Sequence, residues 1–252
     1  VPLYGSSGVE PRPDKLIELH KLAKKYYRKV GWSHSTFVAV YHGEKKMGKL
    51  FTKLSEIILD EHQDWWGAQI GLETGSIRLA RRIMPGKAAP YKIEQWHEIV
   101  VEAAAIMHEI RLIPAITLIV GLPEEEPEDV LETIELVEKL RPYRSLIVPL
   151  FYVPMSHVKS EKTGWLDKLN LYPEHIDLLK VVARHSIFWA RDIVNKYYFK
   201  GPRYFLLRRL VNFFISYIDK KIAELEDYVE RYKAELRERR EKTRKEVLVF
   251  TQ

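Results

Sequence analysis

Four short apolar runs constrain this chain more than any other feature: "STFVAVY" (35–41), "WGAQIGL" (66–72), "AITLIVGL" (115–122) and "SLIVPLFYV" (145–153). Each is brief, rich in β-branched or aromatic residues, and punctuated by Gly or Pro, which reads as a strand. Strands that are nearly continuous in apolar character are buried on both faces and belong to parallel sheets covered by helices.

The segments between them carry helical periodicity. Residues 13–30 open with Pro13 at a first-turn position and stop before Gly31, with Leu16, Leu19, Leu22 and Tyr26 on one side. Residues 92–112 space Ile93, Trp96, Val100, Ala103, Ala104 and Met107 at three- and four-residue steps. Residues 123–141 place Pro127 and a cluster of acids at a helix start and Lys139 and Arg141 near its end, over a stripe of Val130, Ile134, Val137 and Leu140.

Helix and strand therefore alternate, as in βα units with right-handed crossovers. Four strands do not close a barrel, and a complete eight-stranded one takes about 250 residues by itself. The expected fold is α/β: the later strands of a partial parallel (β/α) barrel over residues 1–155, then a helical extension over 156–252. "VPLYG" at the start reads as the end of a further strand. Long helices are expected over 173–199 and 202–244, joined at Lys200–Gly201–Pro202. In the second, Val211, Phe214, Ile215, Ile218, Ile222, Leu225, Val229, Tyr232 and Leu236 form a packing seam, against the α/β body or a partner helix in an oligomer. The tail "KAELRERREKTRKE" reads as a solvated charged helix.

Composition narrows the chemistry. There is no cysteine, which excludes disulfides, thiolate metal sites and a thiol nucleophile within these residues. Four Gln and three Asn among abundant Lys, Arg and Glu fit a thermophilic source. The formal charge of +6 arises from 41 bases against 35 acids, too balanced for a general polyanion binder. The greasiest stretch, "YFLLRRLVNFFISYI" (204–218), is interrupted by Arg208, Arg209 and Asn212 and reads as a docked amphipathic helix rather than a span. With no leader ahead of Val1, the expectation is a cytoplasmic fragment or processed product.

"GLETGSIRLARRIMPGK" (71–87) invites comparison with a phosphate loop, but no Gly-Lys-Ser/Thr triplet occurs in the chain. Its acid, Glu73, stands instead at the carboxyl end of a strand, where parallel α/β folds meet their ligands. A carboxylate can hold a diol through two acceptor oxygens, and glycine permits close approach. Gly121–Leu122–Pro123–Glu124 and Pro149–Leu150–Phe151–Tyr152–Val153–Pro154 mark two further strand ends, and Tyr4–Gly5–Ser6 a fourth.

This arrangement resembles the C-terminal part of the radical S-adenosylmethionine (SAM) enzymes, nearest to the archaeal-type Fe–S oxidoreductases with an elongator-like radical domain. The resemblance rests on "GLETGSIRLARRIMPGK", then "LIPAITLIVGLPEEEPEDVLETIELVEKLR", then "VPLFYVPM". It implies a partial (β/α)₆ barrel binding SAM across its strand ends. Glu73 matches the position that contacts the SAM ribose, with Thr74 and Ser76 beside it. Lys87 falls near a basic position that pairs with the methionine carboxylate. Thr117 matches a polar position near the ribose; Gly121, Leu122 and Pro123 match the backbone passing the adenine; Phe151 and Val153 would lie near the adenine. The family's Cys-x₃-Cys-x₂-Cys loop, which holds a [4Fe–4S] cluster, is absent from this chain. The resemblance therefore implies a radical SAM enzyme whose cluster is held by a missing N-terminal part, with a cobalamin domain upstream compatible and the chain inactive alone. Its substrate class, small molecule or RNA, is open.

Two other readings use different residues. Trp65–Trp66, Tyr26–Tyr27 and Tyr197–Tyr198, with the Arg pairs at 81–82, 208–209 and 239–240, offer stacking and phosphate contacts for a nucleic-acid-binding module. The C-terminal helices alone would make a non-catalytic interaction module. Metal hydrolysis fits poorly: neither His97–Glu98 nor His108–Glu109 is followed by a second His at metalloprotease spacing. No Gly-x-Ser-x-Gly nucleophile elbow occurs.

Overall fold

The computed structural model describes residues 11–153, 171–224, 230–238 and 241. "VPLYG", Tyr4–Gly5–Ser6, Pro154, Met155, Leu225, Val229 and the end of the charged tail lie outside them.

The elements in order are α1 (Pro13–Tyr26), β1 (His34–Ser35), α2 (Phe37–Lys46), α3 (Leu50–Ile58), β2 (Trp66–Glu73), α4 (Ile77–Ile83), α5 (Trp96–Glu109, entered through a 3₁₀ turn at Ile93–Gln95), β3 (Leu112–Val120), α6 (Pro127–Lys139), β4 (Leu146–Phe151), α7 (Pro173–Ile193, running into a π-helical turn at Val194–Tyr198) and α8 (Phe205–Glu224). Residues 230–238 are helical again.

The four strands form one all-parallel sheet in the order β1-β2-β3-β4. Sequential order has a consequence. When every crossover is right-handed and the order never reverses, all connecting helices fall on the same side of the sheet. Among the described residues the connecting helices leave the other side without a layer of its own. Alternation along β2 follows: Trp66, Ala68, Ile70 and Leu72 are buried beneath the helices, while Gln69 on the opposite face is exposed. The register continues this open face across the sheet, Gln69 beside Ala115 and Leu146, and Gly71 beside Thr117 and Val148. The expectation of burial on both faces is thus met by β3, but not by β2 or β4, where Val148 and Leu150 are exposed.

The run "STFVAVY" is corrected by the structure. Only His34–Ser35 pair with β2; Phe37 onward is α2, whose N-cap Thr36 accepts a hydrogen bond from the Ala39 amide at 3.0 Å. A short, wholly apolar run suits a buried helical turn as well as a strand, and here the Thr cap starts the helix. Phe37 and Val40 are fully buried, Phe37 edge-on to Trp96 with centroids 5.9 Å apart. α3 is the helix that the alternation placed between the runs at 35–41 and 66–72. α1 ends at Tyr26, four residues before the expected Val30. Buried beneath it, His20 Nδ1 donates to the Leu16 carbonyl at 2.7 Å while Nε2 accepts from the Trp32 indole at 2.6 Å, a pairing that only the neutral ring can make.

α7 closes the β4 edge. The Ser186 hydroxyl accepts from the Ile147 amide and donates to its carbonyl, both at 3.0 Å, which satisfies an edge that would otherwise invite another strand. Leu178 and Val182 join the main core. Farther along, Trp189 and Ile193 pack with Ile113, Leu146, Trp65 and Tyr197, a second small core that covers the amino-terminal end of the open face. At its carboxyl-terminal end Val148 and Leu150 are exposed while Thr117 on β3 is buried, 8% exposed.

Candidate functional site

β2 and β3 part company where β2 ends. Gly71 pairs with Thr117, but Glu73 pairs with Leu118, so Leu72 is an extra residue in a β-bulge. Bulges re-aim side chains and cluster beside active sites. Here the bulge puts Glu73 into the left-handed region, φ 65°, an uncommon conformation for a residue with a Cβ. Its side chain folds back over the bare Gly71. A Cβ at Gly71 would lie 2.0 Å from Glu73 Oε1 and 3.0 Å from Lys87 Nζ, so glycine makes room for the carboxylate.

Lys87 arrives after α4 and the Pro85–Gly86 turn, where its amide donates to the Met84 carbonyl at 2.9 Å. Its ammonium donates to Glu73 Oε1 at 3.0 Å. The two side chains are 22% and 26% exposed, open enough to meet a ligand yet sheltered enough for their charges to count. The row across the sheet runs Gly71, Thr117, Val148. Among the described residues nothing hydrogen-bonds the Thr117 hydroxyl. The Glu73–Lys87 pair therefore stands over Gly71 at the carboxyl end of the open face, with the buried Thr117 as Gly71's register partner and Val148 and Leu150 beyond it.

Thr74 and Ser76 sit differently. Both are buried, and their hydroxyls are engaged within the protein. Thr74 Oγ1 accepts from the Ser76 amide at 3.1 Å and lies 3.3 Å from the Thr133 hydroxyl. Ser76 caps α4 by accepting from the Leu79 amide at 3.2 Å and donates to Asp129 Oδ1 at 2.5 Å. The Gly75 amide donates to Thr133 Oγ1 at 2.9 Å. These contacts fasten the loop after β2 to the start of α6. Asp129 is their hub: it also takes the Arg78 guanidinium, and its Oδ2 accepts from the Glu126 amide at 2.7 Å. Burial pushes the Asp129 carboxyl up, but the hydrogen bonds from Arg78, Ser76 and the Glu126 amide outweigh it and hold the carboxyl below its usual range.

The next strand end has its own brace. The Gly121 and Leu122 amides both donate to Glu125 Oε2, at 2.9 and 3.0 Å, and the same oxygen lies 2.8 Å from His175 Nε2 on α7. Gly121 and Leu122 are buried and Pro123 is exposed. Phe151 pairs with Val120 and so follows the helix-side alternation, while Leu150 shares the face of Thr117. Phe151 and Val153 are both exposed at the end of β4.

Asp129, Thr133, Glu125, Val148 and Leu150 did not figure among the sequence candidates. Thr133 and Asp129 had a usable signal, being polar residues on the buried arc of α6 marked by Val130 and Val137. Val148 and Leu150 follow from Thr117 by alternation once the register is known. Of the aromatic pairs, Trp66 is core and Trp65 stacks against Tyr197 and Tyr198, whereas Tyr26 and Tyr27 are exposed.

Chemically, the cluster joins a carboxylate with two acceptor oxygens, an ammonium and a free hydroxyl beside an apolar wall. Such groups can hydrogen-bond a vicinal diol and pair with an anionic group. No protein-family model matches the chain, and no curated protein matches it.

Proposed function

We propose that this chain supplies the nucleoside-binding side of a radical SAM barrel. The observation that carries the reading is the Glu73 carboxylate, set over a bare Gly71 and beside the unclaimed Thr117 hydroxyl at the strand ends. The setting supports it: consecutive parallel strands with their helices on one side and a partly open face on the other are what an arc of barrel presents.

In this reading Glu73 accepts hydrogen bonds from the two ribose hydroxyls of SAM, and Thr117 flanks the sugar. Lys87 pairs with the methionine carboxylate; until then its ion pair with Glu73 keeps both charges satisfied. Thr74 and Ser76 act at one remove, holding the loop that carries Glu73. The Gly121–Pro123 backbone passes the adenine, with Glu125 fixing its amides. Phe151 and Val153 meet the base only past the strand end, since on the sheet itself it is Val148 and Leu150 that share the face of Thr117. Bound SAM would supply radical chemistry through one-electron cleavage of its sulfonium.

The residues present do not fit a [4Fe–4S] cluster. The chain has no cysteine, and among the described residues no group of three His, Asp or Glu could hold a metal ion. The reading thus requires thiolates, and any cobalamin, from protein outside these 252 residues. The chain's own share is binding and orientation.

The test is calorimetric titration with S-adenosylhomocysteine, which keeps the diol and the carboxylate. Binding is expected, and Glu73→Ala should weaken it at least ~10-fold, the scale of losing hydrogen bonds to a charged group. Equal affinity in the variant, or no binding at all, would remove the site. Steeply salt-dependent binding of single-stranded RNA in its place would favour the nucleic-acid reading.

A further inference from the structure

α8 packs along α7 by its polar flank. Arg191 reaches Ser216 at 3.4 Å and Asp219 at 3.8 Å. Asn195 and Asn212 exchange amide hydrogen bonds at 2.9 and 3.4 Å, and Arg208 donates to the Phe199 carbonyl at 3.4 Å. Positions 208, 212, 216 and 219 recur at helical steps, so they form one face. Among its apolar residues only Val211, Ile215 and Ile222 gain partial cover, and none of its side chains is fully buried.

The opposite face is a greasy stripe turned to solvent. Leu206, Leu210, Phe213 and Tyr217 repeat at i, i+4, i+7 and i+11 and are 78%, 51%, 64% and 51% exposed. Phe214 and Ile218 lie alongside, both about half exposed. A contiguous apolar patch of this kind marks an interaction surface. The seam expected from sequence is thus split, with Phe214 and Ile218 on the outward side.

The surrounding charges select the partner. From Lys200 to Glu224 the chain has six cations, Lys200, Arg203, Arg208, Arg209, Lys220 and Lys221, against two acids, Asp219 and Glu224. Lys200 pairs with Asp64 and the two lysines share Glu224, which among the described residues leaves Arg203 and Arg209 as the cations beside the stripe without a carboxylate. Arg203 stands in the 3₁₀ turn Pro202–Tyr204 that leads into α8; within α8, at 3.6 residues per turn, Lys221 falls along one border of the stripe and Arg209 and Lys220 along the other. Two of these already lie over aromatic rings at its margin, Arg209 over Phe205 and Lys221 over Tyr217, each 5.7 Å from the centroid. Apolar and aromatic groups between cationic borders match an anionic lipid interface, where rings enter the acyl boundary and cations meet headgroups. A second copy fits poorly. Antiparallel two-fold pairing keeps each border on its own side and brings the cation at the start of the stripe, Arg203, towards Lys221 of the other copy. Parallel pairing exchanges the borders and brings Lys220 against Lys221. No helix among the described residues is long and apolar enough to cross a membrane, so this one would lie in its plane.

We propose that α8 is an in-plane docking helix that seats the protein on an anionic lipid surface. It rests on α8 alone and stands apart from the nucleotide reading. Co-sedimentation of the full chain with vesicles tests it. Vesicles of phosphatidylcholine containing phosphatidylglycerol should pellet the protein, less so in high salt, and pure phosphatidylcholine should not. Phe213→Glu should reduce pelleting at least ~10-fold, the scale of losing one buried Phe. Its exposure means the circular-dichroism melt should be unchanged. Arg209→Gln should weaken pelleting more mildly. The proposal is overturned by absence of pelleting with anionic vesicles, or by pelleting that Phe213→Glu leaves intact. It is equally overturned if light scattering shows a dimer that Phe213→Glu returns to monomer, or if the cations serve single-stranded RNA while vesicles are ignored.

Discussion

The Glu73 carboxylate occupies the space that a side chain on Gly71 would need, with Oε1 2.0 Å from where that Cβ would stand. All three obstructing atoms, Oε1 and Cδ of Glu73 and Nζ of Lys87, lie at the far ends of flexible side chains, so the backbone is under no such constraint. Gly71→Ala should therefore push the carboxylate aside and leave β2 in place. The expected outcome is weaker S-adenosylhomocysteine binding, by ~10-fold or more, with unfolding free energy changed by less than ~1 kcal/mol. Calorimetry and a urea melt on the same sample separate the two; undiminished binding would break the link between Gly71 and the site.

Gly75 presents the opposite case. A Cβ there would meet Thr133 Cα at 2.6 Å and the Glu132 carbonyl oxygen at 3.2 Å, both on the α6 backbone. Gly75→Ala has to move a helix, and a loss of about 1–3 kcal/mol is expected in urea unfolding. If Gly71→Ala proves the more destabilising of the two, the close approach of α6 to this loop is mistaken.

Asp129 joins α4 to α6 through Ser76 and Arg78. Asp129→Ala leaves the buried Ser76 hydroxyl without its acceptor and the exposed Arg78 with only the Glu124 carbonyl and Glu126, and should cost about 1–3 kcal/mol. Its carboxyl titrates below the ordinary 3.8, so its stabilisation is complete above that value and lost as pH falls through the lower, folded-state value. Wild type should show this loss only below about pH 4, and Asp129→Ala should lack it; equal acid sensitivity would contradict the assignment.

His185 governs a different pH range. Burial lowers its ring from 6.5 to about 4, with Nε2 2.8 Å from the Ser145 hydroxyl. The unfolded chain binds the proton first, so stability is full above 6.5 and declines as pH falls toward about 4. Burial lowers His20 as well, and it adds in the same direction. Between pH 7 and pH 4.5, wild type should lose about 2 kcal/mol more than His185→Gln in parallel urea titrations. Matching losses would show that His185 is not the group responsible.

Local chemistry carried much of this structure. Three of the four apolar runs became β2, β3 and β4, and Trp96, Val100, Ala103 and Met107 bury the stripe that their spacing implied. Gly201 takes a left-handed φ of 83° at the expected junction between the C-terminal helices. The run at 35–41 misled because an unbroken apolar stretch has no period, and the Thr36 cap decided for helix. The site was half legible. Glu73 and Lys87 stand in one recognisable segment, but Asp129 and Thr133, which anchor that segment, are more than fifty residues away in sequence.

By itself the sequence determined which stretches bury, where they turn, and that the sheet is parallel, because these depend on residue type and spacing within one element. A partial barrel already implied strands in sequential order, as observed; tertiary structure alone decided that α7 covers the amino-terminal end of the open face and leaves Val148 and Leu150 bare. It also decided that a single extra residue at Leu72 lays Glu73 over Gly71 beside Thr117. Register and crossover geometry arise from contacts between distant segments, and no local pattern encodes which atoms those contacts bring within 3.0 Å.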